Sequence, residues 1–297
     1  MRFSSTTLFL VSALVASAVV NACPGQGKFG FIPPKKTDLR GPCPALNSFV
    51  LPLRSMRTKL NGSRLANHGY LPRDGKNITI REVLRVSSDV YNIDPAVLLG
   101  VAKLGLLTSS EPDSFNILEI NSHGTIEFDA SLSREDVAVG DNTKFNESIY
   151  STLANSNPGV AFYNITSAGK VMHDRLELQQ RKNPSLTNTI KEQSFRAFTS
   201  ALYLAVFGNF TTGVAPKKFV DIWFREERLP FAEGWTTPGC VIDGPGITAL
   251  IGKVGDASAW KTSGGCPYVR TGTPGTDTAT LDSKGICQEV TSSTKGK

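Results

Sequence analysis

The sequence predicts an all-α protein with a single domain, and three observations support that class. Helix start signals and apolar residues at helical spacing recur along most of the 297-residue chain. The polar and apolar alternation that is typical of strands is scarce, and no internal repeat is present. The chain is also long enough to bury one large hydrophobic core without depending on disulfides.

The first 22 residues are predicted to be a secretory signal peptide. Arg2 precedes an apolar run, and the run ends at small residues before Ala22. A transmembrane helix is the alternative, but the run is short and contains polar residues. No later stretch of the sequence is apolar over the length of a bilayer, so we expect a secreted, extracellular protein that is not membrane-bound.

Five Asn-x-Ser/Thr sequences agree with secretion. They lie at Asn61, Asn77, Asn146, Asn164 and Asn209. Each is a weak predictor alone, but five of them behind a signal peptide predict a glycoprotein.

The composition argues against nucleic acid as a partner. The formal net charge is +6, but the basic residues are scattered among acidic ones and form no basic run. Only three histidines are present, at spacings that do not suit a zinc site.

The helices are predicted in the following order. Thr79 and Glu82 form a capping box that opens a helix over residues 80–93. An Asp-Pro pair then starts a helix over residues 96–107, which is apolar nearly all round and is therefore expected to be central. Four further helices are predicted over residues 146–155, 166–182, 191–208 and 215–228.

The composition changes near Gly239, where Gly, Pro, Thr and Ser become frequent. This change predicts a C-terminal extension over residues 239–297, rich in loops and containing one short helix at residues 247–255. The main domain is accordingly placed at residues 23–238.

The five cysteines leave one without an internal partner in an oxidising compartment. Cys43 is the expected unpaired cysteine, because it lies between two prolines and apart from the late cysteines. The other four can form two disulfides in three ways, and Cys266–Cys287 is the preferred pair; these four are Cys23, Cys240, Cys266 and Cys287.

Cys43 is predicted to lie at or next to the N-cap of a short helix. Pro44 fixes a helix-compatible backbone angle, and Ala45 and Leu46 are good helix formers. The positive end of the helix dipole favours thiolate over thiol. A thiolate there could be a nucleophile, a metal ligand or half of a disulfide.

Three segments in this order resemble the fungal haem-thiolate peroxidases, the chloroperoxidase and unspecific peroxygenase family. They are the Pro-Cys-Pro segment with Ala-Leu-Asn behind it at residues 42–47, LANHGYLPRDGKNIT at residues 65–79, and HGTIEFDASLSRED at residues 123–136. The runs ALYLAVFGN and ERLPFAEGW resemble later helices of the family, so the resemblance extends from about residue 40 to 260. It implies a chloroperoxidase-like helical fold and an enzyme that uses hydrogen peroxide.

The resemblance implies that Cys43 is the axial thiolate ligand of haem b. A thiolate ligand donates electron density to the iron and favours O–O cleavage in a bound peroxide. A structural disulfide at Cys43 is the alternative.

The resemblance also implies a magnesium site in the segment EFDAS. Glu127 would supply a carboxylate, Phe128 a backbone carbonyl and Ser131 a hydroxyl, with a haem propionate and waters completing the shell. A surface carboxylate facing Arg134 is the alternative interpretation of Glu127.

Two positions depart from the family pattern. Phe128 stands where many short members have a histidine that assists the distal glutamate. Thr199 stands where the family has that glutamate, two residues before the Ala-Leu-Tyr-Leu run. Threonine cannot hold a proton as a base near neutral pH. Glu192 is a weak substitute, and is expected instead to be an exposed partner of Arg196.

Residues 48–64 form an atypical insertion relative to the family. The segment is basic and contains Pro52. It is either a surface loop or a retained intron, with a slight preference for the intron.

Three functions follow from these observations. The first is a secreted haem-thiolate peroxidase or peroxygenase acting on small organic molecules or halide. Phe128 would shape its apolar pocket; Phe198 would either line that pocket or, the preferred alternative, pack in the core. The second is a haem-binding member with lost or altered activity, because of Thr199. The third is a secreted, disulfide-bonded glycoprotein without a cofactor.

Overall fold

The computed structural model describes residues 33–49, 70–72 and 74–260, and two strands after them. Its α-helices are α1 (Pro44–Phe49), α2 (Ile80–Tyr91), α3 (Pro95–Leu107), α4 (Glu147–Ala154), α5 (Ile165–Lys182), α6 (Ile190–Phe207), α7 (Lys217–Glu226) and α8 (Gly244–Ser258). Short antiparallel pairs join β1 (Ile78–Thr79) to β2 (Ser114–Phe115), β3 (Phe162–Tyr163) to β4 (Ala215–Pro216), and β5 (Ala279–Leu281) to β6 (Cys287–Glu289). Single 3₁₀ turns lie at Glu119–Asn121 and Phe231–Glu233. The all-α class is confirmed.

The helix starts follow the predicted capping chemistry. The Glu82 N–H donates to Thr79 Oγ1 at 3.2 Å, and the Thr79 N–H donates to the Glu82 carboxylate at 3.0 Å. At α3, Asp94 Oδ1 accepts from the Ala96 N–H at 2.8 Å. These side chains satisfy donors that the first helical turn leaves unpaired.

Helix α3 is not central, which contradicts the prediction from its composition. Only Ala102 and Gly105 are buried, whereas Leu99 and Leu107 are 37% and 50% exposed. A helix that is apolar all round offers no preferred face, so its sequence could not show that one narrow stripe meets the core.

Helix α6 lies in the core, and its neighbours α5 and α8 pack against each other at close range. A Cβ on Gly169 of α5 would lie 2.5 Å from the backbone carbon of Ala257 in α8. Helix α8 buries Ile247, Leu250 and Val254. The packed structure therefore continues past the predicted boundary at residue 238, and the helix there is longer than predicted.

The first two residues of the predicted insertion belong to helix α1. Ser48 and Phe49 complete α1 and are buried, and the Phe49 ring contacts Tyr91 with centroids 5.0 Å apart. Residues 50–64, the signal peptide, Asn61, Cys23 and Cys266 lie outside the described residues, and for Cys287 only the backbone is described. Whether the segment is a loop or a retained intron stays open.

The remaining glycosylation sequences lie in two kinds of position. Asn77 and Asn209 are exposed. Asn146 and Asn164 are partly buried N-caps of α4 and α5. Glycosylation itself stays a prediction. Across the described ranges, no helix combines the length and the apolar character needed to cross a membrane.

Candidate active site

An apolar cavity of about 260 Å³ lies among α1, α2, α3, α6 and α7. It brings together residues that are far apart in sequence and that were predicted to form the site: Cys43, Glu127, Phe128, Ser131, Phe198 and Thr199 all line it. Glu192 does not line it. The loop before α1, the loop after β2 and helix α6 therefore meet at this cavity and supply most of the predicted site.

Cys43 immediately precedes α1, as predicted, and is free and partly buried. Burial raises the pKa of its thiol, while the backbone N–H groups of Leu46 and Ala45 and the charge of Arg134 act in the opposite direction. In this buried position, desolvation opposes the thiolate that the start of the six-residue helix favours. A metal cation bound to the sulfur would deprotonate it.

A buried polar cluster holds the loop that contains Cys43, and it was not predicted from the sequence. The Asn47 side chain bridges the Gly41 backbone, donating to its carbonyl at 2.9 Å and accepting from its N–H at 3.0 Å. Asn47 Nδ2 also donates to Glu227 Oε1 at 2.8 Å. The same carboxylate forms an ion pair with Arg134, which is 3% exposed. Glu227 thus ties the cysteine loop to the end of α7.

The α6 wall of the cavity is apolar. Phe198 lines it, and the rings of Phe128 and Phe195 are in contact with centroids 6.1 Å apart. The Thr199 hydroxyl donates to the Phe195 carbonyl at 2.9 Å, so it is engaged within its own helix. Among the described residues that line the cavity, Glu127 is the only carboxylate.

Glu192 is buried, and the prediction that it is exposed is wrong. It is the third residue of α6 and completes a capping box with Thr189. Its carboxylate also lies 3.1 Å from Lys191 Nζ. Burial raises its pKa, but the hydrogen bonds from Thr189 and the charge of Lys191 outweigh it and hold the pKa below its usual value. Glu192 is thereby committed to the helix start.

The interpretation of Glu127 as a surface acid facing Arg134 is also wrong. Glu127 is 8% exposed, and its Oε2 lies 2.6 Å from His123 Nδ1. The Ser131 hydroxyl donates to the Arg134 carbonyl at 3.0 Å and accepts from the Arg134 N–H at 3.2 Å. Within the described part of the chain, no three metal-ligating side chains cluster. The magnesium site stays a prediction.

The polar groups of the cavity fit a cofactor that carries carboxylates. Three buried nitrogens of residues lining it have no hydrogen-bond partner among the residues that the structure describes: Arg134 Nε, Asn142 Nδ2 and Arg196 Nε. Buried donors without partners are rare in folded proteins, and a bound group commonly satisfies them. An apolar cavity with a thiol and unpaired donors suits haem, which is apolar apart from its two propionates.

Comparison with known proteins supports this assignment. The sequence model of the family described as "Peroxidase, family 2" matches residues 54–239. The chain belongs to this family. The resemblance to the fungal haem-thiolate peroxidases is confirmed, and membership implies haem as the cofactor.

Several relatives of this chain are named for an enzymatic activity. An aromatic peroxygenase from Cyclocybe aegerita is 30% identical over 57% of this chain and 45% of its own length. One from Coprinellus radians is 26% identical over 67% and 79% of the two chains. A chloroperoxidase from Leptoxyphium fumago is 25% identical over 84% and 68%.

The family match begins after Cys43, so it does not test the ligand assignment. That assignment depends on the position of the thiol in the cavity. Several residues that line or support the cavity were not identified from the sequence as part of the site: Arg134, Asn142, Phe195, Arg196 and Glu227. Arg134 lies in the segment at residues 123–136 and Glu227 begins the run ERLPFAEGW, but neither was assigned a role in the site from the sequence. Only the fold brings the five residues together.

Proposed function

We propose that this family 2 peroxidase is a secreted haem-thiolate enzyme that uses hydrogen peroxide to oxidise or oxygenate small apolar organic molecules. The observation that supports it most is the free Cys43 thiol in a cavity whose α6 wall carries phenylalanines. The names of the relatives, aromatic peroxygenase and chloroperoxidase, agree with it. Halide is a further substrate class.

The chain's own residues would position the cofactor. Cys43 Sγ would bind the haem iron, and Arg134, Asn142 and Arg196 would donate to the propionates. When bound, haem supplies the redox chemistry of peroxide, and thiolate ligation favours cleavage of the O–O bond. Glu127, Phe128 and Ser131 would hold magnesium.

The apolar side chains have a separate role. Phe128, Phe195 and Phe198 would exclude water and bind an apolar or aromatic substrate by burying its surface. This wall offers few hydrogen-bonding groups with which to select a polar substrate. We therefore expect affinity to increase with the apolar area of the substrate.

An absorption spectrum tests the cofactor and its ligand. We expect the ferrous carbon monoxide complex of the purified protein to show the strongly red-shifted Soret band of thiolate ligation. Cys43→Ser should remove that band. Cys240→Ser is the matched control, because Cys240 is also free but exposed and away from the cavity. A colourless protein without extractable haem would instead favour the cofactor-free glycoprotein.

A second candidate function is a haem-binding member with lost or altered peroxide chemistry. The specific observation in its favour is the Thr199 hydroxyl, which donates to its own helix and cannot act as a base. Proton transfer by a positioned side chain contributes typically about 10²–10⁴-fold to a rate.

Replacing Thr199 distinguishes the two candidates. If the missing base limits peroxide cleavage, Thr199→Glu should raise the rate at which peroxide reacts with the haem, by about tenfold or more. Thr199→Gln is the control, because it has similar size but cannot carry the proton. Equal rates in both variants and the parent would show that another group already performs this task.

A further inference from the structure

Two buried tyrosines share one carboxylate oxygen outside the cavity. The hydroxyls of Tyr150 and Tyr163 each donate to Asp221 Oδ1 at 2.7 Å. Both tyrosines are 0% exposed, whereas the Asp221 side chain is 25% exposed. The other oxygen, Asp221 Oδ2, lies 3.3 Å from Arg225 Nη1, which keeps Oδ1 directed at the two phenols. The carboxylate therefore connects two buried phenols to solvent.

Aromatic rings connect this pair to the cavity by two routes. The rings of Tyr163 and Tyr203 are 6.1 Å apart between centroids, and those of Tyr150 and Phe224 are 5.2 Å apart. Tyr203 and Phe224 both line the cavity, and their own rings are 6.2 Å apart. Each of these separations is within the range of aromatic rings in contact, about 4.5–7 Å. The chain of rings is continuous from the cavity to Asp221.

The three tyrosines differ in what their hydroxyl protons can reach. Tyr203 Oη is buried, and no group of the described residues lies within hydrogen-bond distance to accept its proton. Tyr150 and Tyr163 have the Asp221 carboxylate as an acceptor. Burial raises the pKa of Tyr203 well above its ordinary value, so it also stays neutral in the resting protein. Oxidation with proton loss is therefore possible at the Asp221 pair and not at Tyr203.

We propose that the Tyr150–Asp221–Tyr163 cluster donates one electron to oxidised haem in the cavity and then holds the resulting radical on one of its tyrosines. This transfer is called the relay below. The proposal rests on the proposed function, because peroxide-oxidised haem is the oxidant. One phenol gives an electron through Phe224 or Tyr203 to that haem, and its hydroxyl proton moves to Asp221 Oδ1. The products are a neutral phenoxyl radical, a neutral carboxylic acid and a haem reduced by one electron.

The charges around the pair require that the proton leave with the electron. The Arg225 guanidinium lies 4.8 Å from the centre of the Tyr150 ring, and Lys217 Nζ lies 5.2 Å from that of Tyr163. A phenol radical that kept its proton would be a cation facing another cation. Transfer to Asp221 avoids this repulsion. The cluster thus gives the enzyme a path to reduce oxidised haem when no substrate occupies the cavity.

The first test is the electron paramagnetic resonance spectrum of the holoenzyme frozen soon after mixing with hydrogen peroxide, without substrate. We expect a tyrosyl radical. Most of the signal should be lost in the double variant Tyr150→Phe, Tyr163→Phe and in Asp221→Asn, and the haem of both should bleach faster in peroxide. Tyr70→Phe is the control, because Tyr70 is buried but is not hydrogen-bonded to Asp221.

The second test removes the dependence on peroxide. Zinc protoporphyrin in place of haem, excited by light with a cobalt(III) acceptor in solution, becomes a one-electron oxidant in the same cavity. Phenoxyl absorption should then increase as the oxidised porphyrin decays. The double variant should show no such absorption, although its thermal stability should equal that of Tyr70→Phe. The same radical yield in the double variant as in the parent overturns the relay.

The two tests separate the relay from the proposed function. A protein that turns over peroxide but forms no radical at Tyr150 or Tyr163 keeps the function and overturns the relay. Phenoxyl formation with zinc protoporphyrin but no reaction with peroxide supports the relay and overturns the function. A protein that takes up neither porphyrin overturns both.

Discussion

Replacing Glu227 with alanine should destabilise the loop that contains Cys43, and should cost more stability than replacing an exposed glutamate. The Glu227 carboxylate is the partner of Arg134, which is 3% exposed, and the acceptor for Asn47, which is buried. Its removal leaves a buried guanidinium without a counter-charge. Alanine is preferred to glycine as the replacement, because Glu227 has a φ of 50°. Glycine adopts this angle without strain, so it would add a stabilising backbone effect to the loss of the carboxylate.

The expected size follows from the burial of both partners. Removing one member of a buried ion pair costs about 3–5 kcal/mol. The Glu227 side chain is 23% exposed, so water partly screens the pair and we expect the lower end, about 3 kcal/mol. For a domain of this size, each kcal/mol lowers the Tm by about 2–4 °C, so the Tm should fall by about 6–12 °C.

Thermal unfolding monitored by circular dichroism measures this change, and Glu226→Ala is the matched control. Glu226 is the preceding residue, its side chain is 52% exposed, and its partner Arg228 keeps two hydrogen bonds to Glu233. Glu226→Ala should therefore cost less than about 0.5 kcal/mol. Equal Tm values for the two variants would refute the view that the partly buried Glu227 carboxylate stabilises this loop. Haem retention in Glu227→Ala should fall as well, because the loop carries Cys43.

Two further predictions concern stability. Burial raises the pKa of Asp129 to about 6 from 3.8. The protonated carboxyl therefore stabilises the folded protein. This contribution is complete below about pH 4 and is lost as the pH rises through about 6. Asp129→Asn should remove this pH dependence. Its free energy of unfolding relative to the parent, measured in urea titrations, should therefore rise by about 3 kcal/mol over that pH range. Parallel plots of the free energy of unfolding against pH for the two proteins would contradict the pKa shift. Gly169→Ala should destabilise by about 1–3 kcal/mol, because its Cβ would meet the Ala257 backbone at 2.5 Å. Gly252→Ala in α8, where a Cβ meets nothing within 4 Å, should instead stabilise the protein by about 0.5–1 kcal/mol. A lower urea midpoint for Gly252→Ala than for Gly169→Ala would refute the packing argument.

The helices were predictable because their signals are local. The Thr79 and Glu82 capping box and the Asp94-Pro95 start are each complete within four residues, and the structure forms both. The depth of a helix in the fold is not a local property. The most apolar helix, α3, lies at the surface, while α8, predicted to be a short helix in a loop-rich extension, packs against α5 and α6.

The candidate site divides in the same way. The resemblance to the family indicated Cys43, Glu127, Phe128, Ser131 and Thr199, and all five line the cavity. The residues that support the site are revealed only by contacts between distant parts of the chain. Glu227 lies 180 residues from Asn47, and Asp221 lies 71 and 58 residues from the tyrosines that it binds.

By itself, the sequence determined the helical class, the family, and the chemistry that a Pro-Cys-Pro cysteine and a missing distal glutamate allow. Only the tertiary structure decided which charges are buried. It pairs Glu127 with His123, commits Glu192 to a helix cap, and leaves the Cys43 thiol with a raised pKa. The physical reason is that desolvation and ion pairing depend on neighbours from distant parts of the chain, whereas helix formation depends on neighbours in sequence.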